Sequence, residues 1–338
     1  MKRLRFTRSA VAAAATASLL ALTACGGQTA AAPAAPSATS TVDAQFPKSI
    51  EHALGTAELT SVPKRIVTLD PSYTDAALAL GADVAGYVIY RKGDAAFPSY
   101  LGDVSAQTKG AANLGSLAEP SLDKILEAQP DLIISAKVRH EALYPQLAKI
   151  APTIMSVSTG PTWKQNIVML GDALGKKDKA EQIIQEYKDR AKKVGEAILA
   201  KNPGLTYSYV RFAGEDTARL YSSTSFFGEI MTDAGIPRPA GQPDSTEKIF
   251  VPLSQEQLPA AEAGLIITSA FGQNSGEGEK SRAQMEKFMA NPLWGTLKGE
   301  VLNADDMVFA SSVSLQGANA VLTKLAEKYG VDPQLPKA

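Results

Sequence analysis

Arginine and tyrosine side chains stand at the ends of two apolar runs of this 338-residue chain. Arg211 follows the run Tyr207-Ser-Tyr-Val, and Tyr90 with Arg91 closes the run that starts at Val84. An arginine is costly in a hydrophobic core, whereas at the rim of a cleft its guanidinium group offers a fork of donors to anionic oxygens. These positions predict an anion-binding site, with an ordinary surface ion pair as the alternative.

The residues on which most metal sites and hydrolases depend are scarce. His52 and His140 are the only histidines and lie far apart in sequence, and Cys25 is the only cysteine. The chain has no His-Glu-x-x-His motif, no Gly-x-Ser-x-Gly elbow and no Gly-x-Gly-x-x-Gly motif after a strand. The sequence therefore disfavours a zinc hydrolase, a multi-histidine Zn or Mn receptor and a disulfide framework, and it predicts no cofactor.

One long helix organises the elements that must position the cleft residues. From Asp178 to about Lys201, apolar residues recur at alternating spacings of three and four, which is typical of one stripe of a single helix. The segments on either side resemble each other: Ser121–Ser135 reads SLDKILEAQPDLIIS, and Ser254–Ser269 reads SQEQLPAAEAGLIITS. We therefore predict two similar α/β lobes, each a mostly parallel sheet flanked by helices, joined by one long α-helix.

The domain boundaries follow from this pattern. We predict an N-terminal lobe over residues 50–175, a linker helix over 176–202 and a C-terminal lobe over 203–330. Ligands of such sheets bind outside the carboxyl ends of the strands. The predicted strands are Ile66–Leu69, Val84–Tyr90, Leu132–Ser135, Thr153–Val157, Tyr207–Phe212, Arg219–Ser222, Leu265–Thr268 and Met307–Phe309.

The N-terminus has the pattern of a bacterial lipoprotein signal. A basic start and an apolar run from Ala10 to Leu22 precede Leu22-Thr-Ala-Cys25, and the run is too short for a stable membrane span. The sequence predicts a signal peptide over residues 1–24, lipidation of Cys25 and a flexible tether over 25–49, rich in Ala, Pro, Ser and Thr. Four of the 34 basic residues precede Cys25, so the remainder is net acidic and predicts no nucleic-acid partner.

Several segments resemble the binding proteins of ABC importers for iron–siderophores, haem and vitamin B12. They are Pro63-Lys-Arg-Ile-Val-Thr-Leu-Asp70, Thr74-Asp-Ala-Ala-Leu-Ala-Leu-Gly81, Glu119-Pro-Ser-Leu-Asp-Lys-Ile-Leu126, Gln129-Pro-Asp-Leu-Ile-Ile134, Ser225-Phe-Phe-Gly-Glu-Ile-Met231, Ala234-Gly-Ile-Pro237 and Asn291-Pro-Leu-Trp294. The resemblance covers residues 50–330 and is closest to the ferric-siderophore branch. It implies a monomeric lipoprotein, anchored outside the cytoplasmic membrane, that hands a ferric siderophore to a permease dimer.

The resemblance and the strand ends together select the candidate site residues. Seven side chains are expected at the ligand: Arg211, Tyr90, Arg91, Tyr73, Arg139, Phe250 and Phe271. Some siderophore binders have an arginine just before the Glu-Pro pair, where this chain has Leu117-Ala118, and the chelate is therefore left open among hydroxamate, catecholate and mixed types.

Two carboxylates occupy the same place in the two similar segments. Asp123 and Glu256 both fall in the first turn of a short helix, where an acidic side chain also complements the helix dipole. In the family, one carboxylate of each lobe docks into arginine pockets of the permease. Glu256 matches that pattern, whereas Asp123 is one methylene shorter than the usual glutamate, and Glu119 or Glu127 could take its place.

Two alternatives to a siderophore receptor stay open from the sequence. A haem or cobalamin receptor would have the same fold, and Tyr73, Tyr90 or His140 could serve as an axial ligand to haem iron. A cell-surface enzyme on the same scaffold is a more distant alternative, because no nucleophile and base stand at a recognisable spacing.

Overall fold

A computed structural model describes residues 45–272 and 276–335. The predicted signal peptide, Cys25 and most of the predicted tether lie outside these residues. The first described element is an antiparallel hairpin of β1 (Lys48–His52) and β2 (Gly55–Leu59), so ordered structure begins before Ile50. The buried side chains of Ile50, Ala57 and Leu59 hold this hairpin against the core.

The first half of the chain forms a five-stranded parallel sheet. Its strands are β3 (Ile66–Thr68), β4 (Val84–Ile89), β5 (Ala112–Ser116), β6 (Leu132–Ala136) and β7 (Thr153–Ser156). The spatial order is β5-β4-β3-β6-β7, and every pair is parallel. The edge strand β5 has a polar sequence that carries no clear strand pattern, and we had not predicted it.

The second half repeats this order with one reversed strand. Its strands are β8 (Tyr207–Phe212), β9 (Ala218–Tyr221), β10 (Phe250–Leu253), β11 (Leu265–Ala270) and β12 (Glu300–Asn303). The order β10-β9-β8-β11-β12 matches the first sheet, but β9 is antiparallel to both of its neighbours. The predicted fold class, two lobes with mostly parallel sheets and one long helix, is confirmed.

The predicted strand Met307–Phe309 is wrong. Residues Met307–Ser311 form a π-helical turn, and Glu300–Asn303 supplies the edge strand instead. The side chain of Asp305 accepts a hydrogen bond from the amide of Met307, and its carbonyl oxygen accepts one from the amide of Phe309. A run of three apolar residues fits a strand or a helical turn equally well, so the sequence pattern could not decide between them.

Nine α-helices of the described chain flank the two sheets. They are α1 (Pro71–Ala79), α2 (Leu122–Glu127), α3 (Lys137–His140), α4 (Tyr144–Ile150), α5 (Trp163–Ala173), α6 (Lys177–Lys201), α7 (Phe226–Asp233), α8 (Glu279–Met289) and α9 (Leu315–Tyr329). None of the helices in these described ranges is both long and apolar enough to cross a membrane.

Helix α6 is the predicted linker, and it packs against both halves. It begins at Lys177, and Asp178 lies in its first turn rather than at the cap. Gly195 permits close packing of α6 against the end of α7, because a Cβ atom at position 195 would lie 1.7 Å from the carbonyl oxygen of Ala234. A single hydrophobic core runs from α1 and α5 through α6 to α7 and α9, so the two lobes share buried apolar side chains.

Polar contacts also join the two lobes on either side of α6. Lys164 of α5 forms ion pairs with Glu229 and Asp233 of α7 at 2.8 and 2.7 Å. Gln316, near the start of α9, donates through its side-chain amide to the carbonyl oxygen of Asp75 in α1 at 2.8 Å. Helix α9 therefore forms a second connection between the lobes, which the sequence did not predict.

Asp75 is a buried acid at this second connection. Burial raises the pKa of Asp75 to about 7, and Asp70 adds to the shift, while hydrogen bonds from Ser314 and Tyr100 oppose it. The hydroxyl group of Tyr100 donates to Asp75 Oδ2 at 2.9 Å. Because the unfolded chain ionises Asp75 near its ordinary pKa, the folded state binds more protons between about pH 4 and 7, and stability must fall as the pH rises through that window.

We therefore expect Asp75→Asn to stabilise the protein at neutral and higher pH. The advantage of the variant in free energy of unfolding should grow from about pH 4 to about pH 7, by up to roughly a kcal/mol per pH unit, and then level off. Urea unfolding of the variant and the wild-type protein over this range measures the difference. A constant difference across the range would show that the pKa of Asp75 is not raised in the folded state.

Candidate functional site

The carboxyl ends of β4 and β11 bring side chains of the two lobes into contact. Tyr90 and Arg91 directly follow β4, and Phe271 directly follows β11. The rings of Tyr90 and Phe271 are 6.2 Å apart in an edge-to-face arrangement, and the guanidinium carbon of Arg91 lies over the Phe271 ring at 4.6 Å from its centroid. The structure thus joins three of the predicted site residues in one inter-lobe cluster.

Arg211 reaches the same cluster from the C-terminal lobe. Its guanidinium carbon lies 5.1 Å from the centroid of the Phe271 ring. The side chain is buried and uses four of its five N–H groups: Nε and Nη2 donate to the carboxylate of Asp306 at 2.5 and 2.7 Å, Nη2 also donates to the hydroxyl of Ser311 at 3.1 Å, and Nη1 donates to the hydroxyl of Tyr221 at 2.9 Å. Burial would lower the pKa of Arg211, but Tyr221 and Asp306 outweigh it and raise that pKa well above its usual value.

Among Arg91, Arg139 and Arg211, Arg91 has a buried nitrogen without a hydrogen-bond partner in the described part of the chain. Its Nε donates to Asp94 at 3.1 Å, and both side chains are more than nine-tenths buried. Its Nη1 is buried and finds no hydrogen-bond partner among the described residues. A buried donor without an acceptor costs about 1–3 kcal/mol, and more when it is charged, which makes this atom a candidate donor to an anionic oxygen.

Arg139 forms a third pair on the N-terminal side. Its Nε donates to Asp70 Oδ2 at 3.0 Å, and its Nη2 lies 3.4 Å from the hydroxyl oxygen of Thr159. Burial would lower the pKa of Arg139, but Asp70 and Tyr90 outweigh it and raise it. Arg139 keeps the greatest side-chain exposure of the three arginines, at 29%, and so lies toward the opening of the cluster.

Tyr73 and His140 are buried, and both form hydrogen bonds within the N-terminal lobe. Tyr73, for which a ligand contact is expected from the sequence, is 1% exposed, and its hydroxyl group makes a short hydrogen bond with Ser156. His140 Nε2 donates to the carbonyl oxygen of Leu117 at 2.8 Å, and Nδ1 accepts from Ser135 at 2.7 Å. Burial lowers the pKa of His140, so the ring is neutral and both nitrogens are engaged within the fold.

Phe250 lies beside the cluster rather than in it. Its ring stacks on Tyr221 at 6.2 Å, and the guanidinium carbon of Arg219 lies 4.6 Å from its centroid. Tyr221 in turn accepts a hydrogen bond from Arg211. Tyr221 therefore lies between Phe250 and Arg211, although the sequence predicts that both of these residues contact the ligand.

Sequence reasoning missed the acids that hold the three arginines. Asp94 follows Arg91 by three residues and is the one that spacing alone could have suggested. Asp70 caps α1 through a hydrogen bond from the amide of Ser72, and its second oxygen receives Arg139. Asp306 precedes the π-helical turn Met307–Ser311, part of which, Met307–Phe309, the sequence predicts as a strand, so the direction of Asp306 toward Arg211 does not follow from the sequence.

Asp123 and Glu256 occupy equivalent places in the two lobes. Asp123 is the second residue of α2 after the cap Ser121, and Glu256 is the second residue of a 3₁₀ helix, Gln255–Ala261, after the cap Ser254. Both side chains are exposed. Two hydrogen bonds, first from its own amide and then from the Ser254 hydroxyl, lower the pKa of Glu256 and keep it ionised. Glu127, in contrast, is the last residue of α2.

The sequence and fold match proteins whose roles are known. The chain is 33% identical over 297 residues to the probable siderophore-binding lipoprotein YfiY of Bacillus subtilis, covering 85% of this chain and 89% of that protein. It is 26% identical over 295 residues to the Fe(3+) dicitrate-binding periplasmic protein FecB of Escherichia coli, covering 85% and 92%. The crystal structure of Staphylococcus aureus SirA complexed with staphyloferrin B superposes with a TM-score of 0.76 at 28% identity, covering 85% of this chain and all of that one.

The match to a protein family covers most of the folded part of the chain. The model of that family, described as periplasmic binding protein, matches residues 66–298. This range includes every strand of both sheets except β12, and every member of the three arginine–aspartate pairs except Asp306. Members of this family are substrate-binding proteins. On this match and on the shared fold, the chain belongs to the periplasmic binding protein family.

Proposed function

We propose that this protein captures a ferric siderophore between its two lobes and delivers it to an ABC importer. The observation that carries the proposal is that Arg91 and Arg211 meet at Phe271 between the lobes, with Arg139 beside Tyr90 and with Arg91 Nη1 buried and unpaired among the described residues. Relatives named for siderophore and Fe(3+) dicitrate binding support the class of ligand. So does the likeness to the staphyloferrin B complex.

The cluster favours a chelate that has anionic oxygens. Each of the three arginines is paired with one aspartate, which fixes the guanidinium plane but uses only part of its donors. The remaining donors can bind carboxylate or catecholate oxygens through charge-assisted hydrogen bonds. A ferric tris-hydroxamate has no net charge, whereas ferric citrate and ferric tris-catecholates are anions, so the anionic chelates gain more from this site.

Titration of the purified protein against a panel of chelates tests the proposal. The panel contains ferric citrate, a ferric tris-catecholate, a ferric tris-hydroxamate, haem and cobalamin. Trp163 is a suitable fluorescence reporter, because its ring packs against Tyr187 of α6 and Phe226 of the other lobe. If the protein bound haem or cobalamin but none of the ferric chelates, the proposal would be wrong and the protein would be a receptor for that ligand.

We expect removal of the Arg91–Asp94 pair to weaken binding of the anionic chelate. The double variant Arg91→Ala with Asp94→Ala keeps the net charge of the site and leaves no unpaired acid. The loss should be about 10-fold to 150-fold, which corresponds to the roughly 1.5–3 kcal/mol of a charge-assisted hydrogen bond. Fluorescence titration of the double variant with ferric citrate measures it.

Arg219 and Glu215 provide a matched control for that experiment. They form another close arginine–acid pair, and the Arg219 guanidinium lies over Phe250 at the same 4.6 Å as that of Arg91 over Phe271. The variant Arg219→Ala with Glu215→Ala should bind ferric citrate like the wild-type protein. Equal losses in both double variants would mean that Arg91 has no specific part in the site.

Delivery to a permease requires a docking surface on each lobe. We propose Asp123 and Glu256 for this role, because each is an exposed acid at the second position of a short helix, at equivalent places in sheets of the same strand order. The equivalence of Asp123 with Glu256 favours it over Glu119 and Glu127. Arginine pockets on a permease dimer would receive the two carboxylates.

The double variant Asp123→Ala with Glu256→Ala should reduce iron uptake several-fold or more in cells and leave the affinity of the purified protein unchanged. Uptake of ⁵⁵Fe supplied as the bound chelate, at equal protein levels, measures the first effect. Glu127→Ala, at the other end of α2, is the control and should transport normally. Normal uptake by the double variant would remove both residues from the docking surface.

We propose that the protein acts as a monomer tethered outside the cytoplasmic membrane by a lipid on Cys25. The tetrad Leu22-Thr-Ala-Cys25 and the name of the lipoprotein relative support this anchor. Cys25→Ser should release the protein from the membrane fraction without changing its affinity for ferric citrate. Cell fractionation followed by immunoblotting measures the distribution, and retention of the variant in the membrane fraction would contradict the anchor.

A further inference from the structure

Phe271 occupies the position between the two lobes that an anionic ligand would need. It belongs to the C-terminal lobe, yet its ring contacts Arg91 and Tyr90 of the N-terminal lobe as well as Arg211 of its own. The two guanidinium carbons can be no farther apart than the sum of their distances to the ring centroid. One multidentate anion can span that separation if it takes the place of the ring.

The Phe271 ring also stabilises the two positive charges of Arg91 and Arg211 in the ligand-free state. Arg91 and Arg211 contact the same ring and repel each other, although each is paired with an aspartate, and Arg91 Nη1 finds no acceptor among the described residues. The negative face of an aromatic ring attracts a cation, and the attraction is larger where water is excluded. Phe271 thus supplies to Arg91 and Arg211 a weak substitute for the anion.

We propose that Phe271 is a built-in occupant of the ligand site, which the anionic oxygens of the ferric chelate displace when they bind. The inference rests on the proposed function, because it takes the site of the three arginines to be the chelate site. Phe271 is then a specificity-determining residue. A ligand enters only if its contacts with Arg91 and Arg211 are more favourable in free energy than the contacts of the ring that it displaces. An anionic chelate meets this condition, and a neutral one gains much less from the exchange.

The occupied state lowers the apparent affinity of the wild-type protein. The affinity for a ligand is reduced by the fraction of molecules in which the site is free. Removal of the ring should therefore tighten binding, whereas truncation of an ordinary ligand contact weakens it. Two cation–π contacts set the scale of the gain at about 5-fold to 30-fold.

The experiment compares Phe271→Ala with wild-type protein in binding ferric citrate, by equilibrium titration and by stopped-flow fluorescence. Tighter binding with a faster association rate is the expected result. Phe271→Leu keeps an apolar side chain without the ring face and should also tighten binding. It tests the proposal in place of Phe271→Ala if the alanine variant does not fold. Phe250→Ala is the matched control, since Phe250 stacks on an arginine outside the cluster.

The outcomes separate this inference from the proposed function. Weaker or unchanged binding by both Phe271 variants of a protein that binds ferric citrate would overturn the inference and leave the proposed function standing. Tighter binding by Phe250→Ala to the same degree would show a general loosening of the lobe and would also overturn it. Failure of the wild-type protein to bind any ferric chelate would instead count against the proposed function.

Discussion

The hydrophobic core that the two lobes share is the constraint on which the rest of the molecule depends. Trp163 from one lobe packs against Tyr187 of the long helix and Phe226 of the other lobe, and Lys164 adds two ion pairs across the same contact. Rotation of one lobe away from the other would expose these side chains to water, at about 25 cal/mol for each Å² of apolar surface. A ligand can shift such an equilibrium only by its differential affinity for the two states. The cleft is therefore largely preformed, and recognition falls to side chains at its walls.

Within this fixed frame, the charges of the cleft are arranged by burial. A guanidinium group withdrawn from water needs a partner, and Arg211 has a bidentate one in Asp306. Loss of one member of such a buried pair typically costs about 3–5 kcal/mol, so Arg211 serves the stability of the C-terminal lobe as well as the site. Arg91 differs, because its pairing with Asp94 leaves one buried nitrogen without an acceptor among the described residues. Arg211 of the C-terminal lobe thus has a largely structural role, whereas Arg91 of the N-terminal lobe has a donor without an acceptor among the described residues.

The sequence predicted the architecture well because periodicity reports which face of an element is buried. The apolar stripe from Asp178 to Lys201 predicted the long helix, and the two similar segments predicted two similar α/β lobes, which the two sheets confirm. The site was harder, because it depends on the direction of side chains after the strands end. Tyr73 and Phe271 both follow strands, yet one is packed in the core and the other lies between two arginines. No local pattern distinguishes them, since the difference arises from contacts between residues far apart in the chain.

A preformed cleft with charged walls must also avoid holding the wrong molecules. Water and small ions compete for any exposed guanidinium, and a wide open site would bind many anions weakly. In the proposed site, the Phe271 ring that covers Arg91 and Arg211 sets a minimum binding energy that a ligand must exceed, and the gain grows with the number of anionic oxygens that reach both arginines at once. A large ferric chelate can meet several donors from one rigid body, whereas a single carboxylate cannot. Selectivity for such chelates follows because their contacts with Arg91 and Arg211 replace those of the Phe271 ring, without a large movement of the lobes.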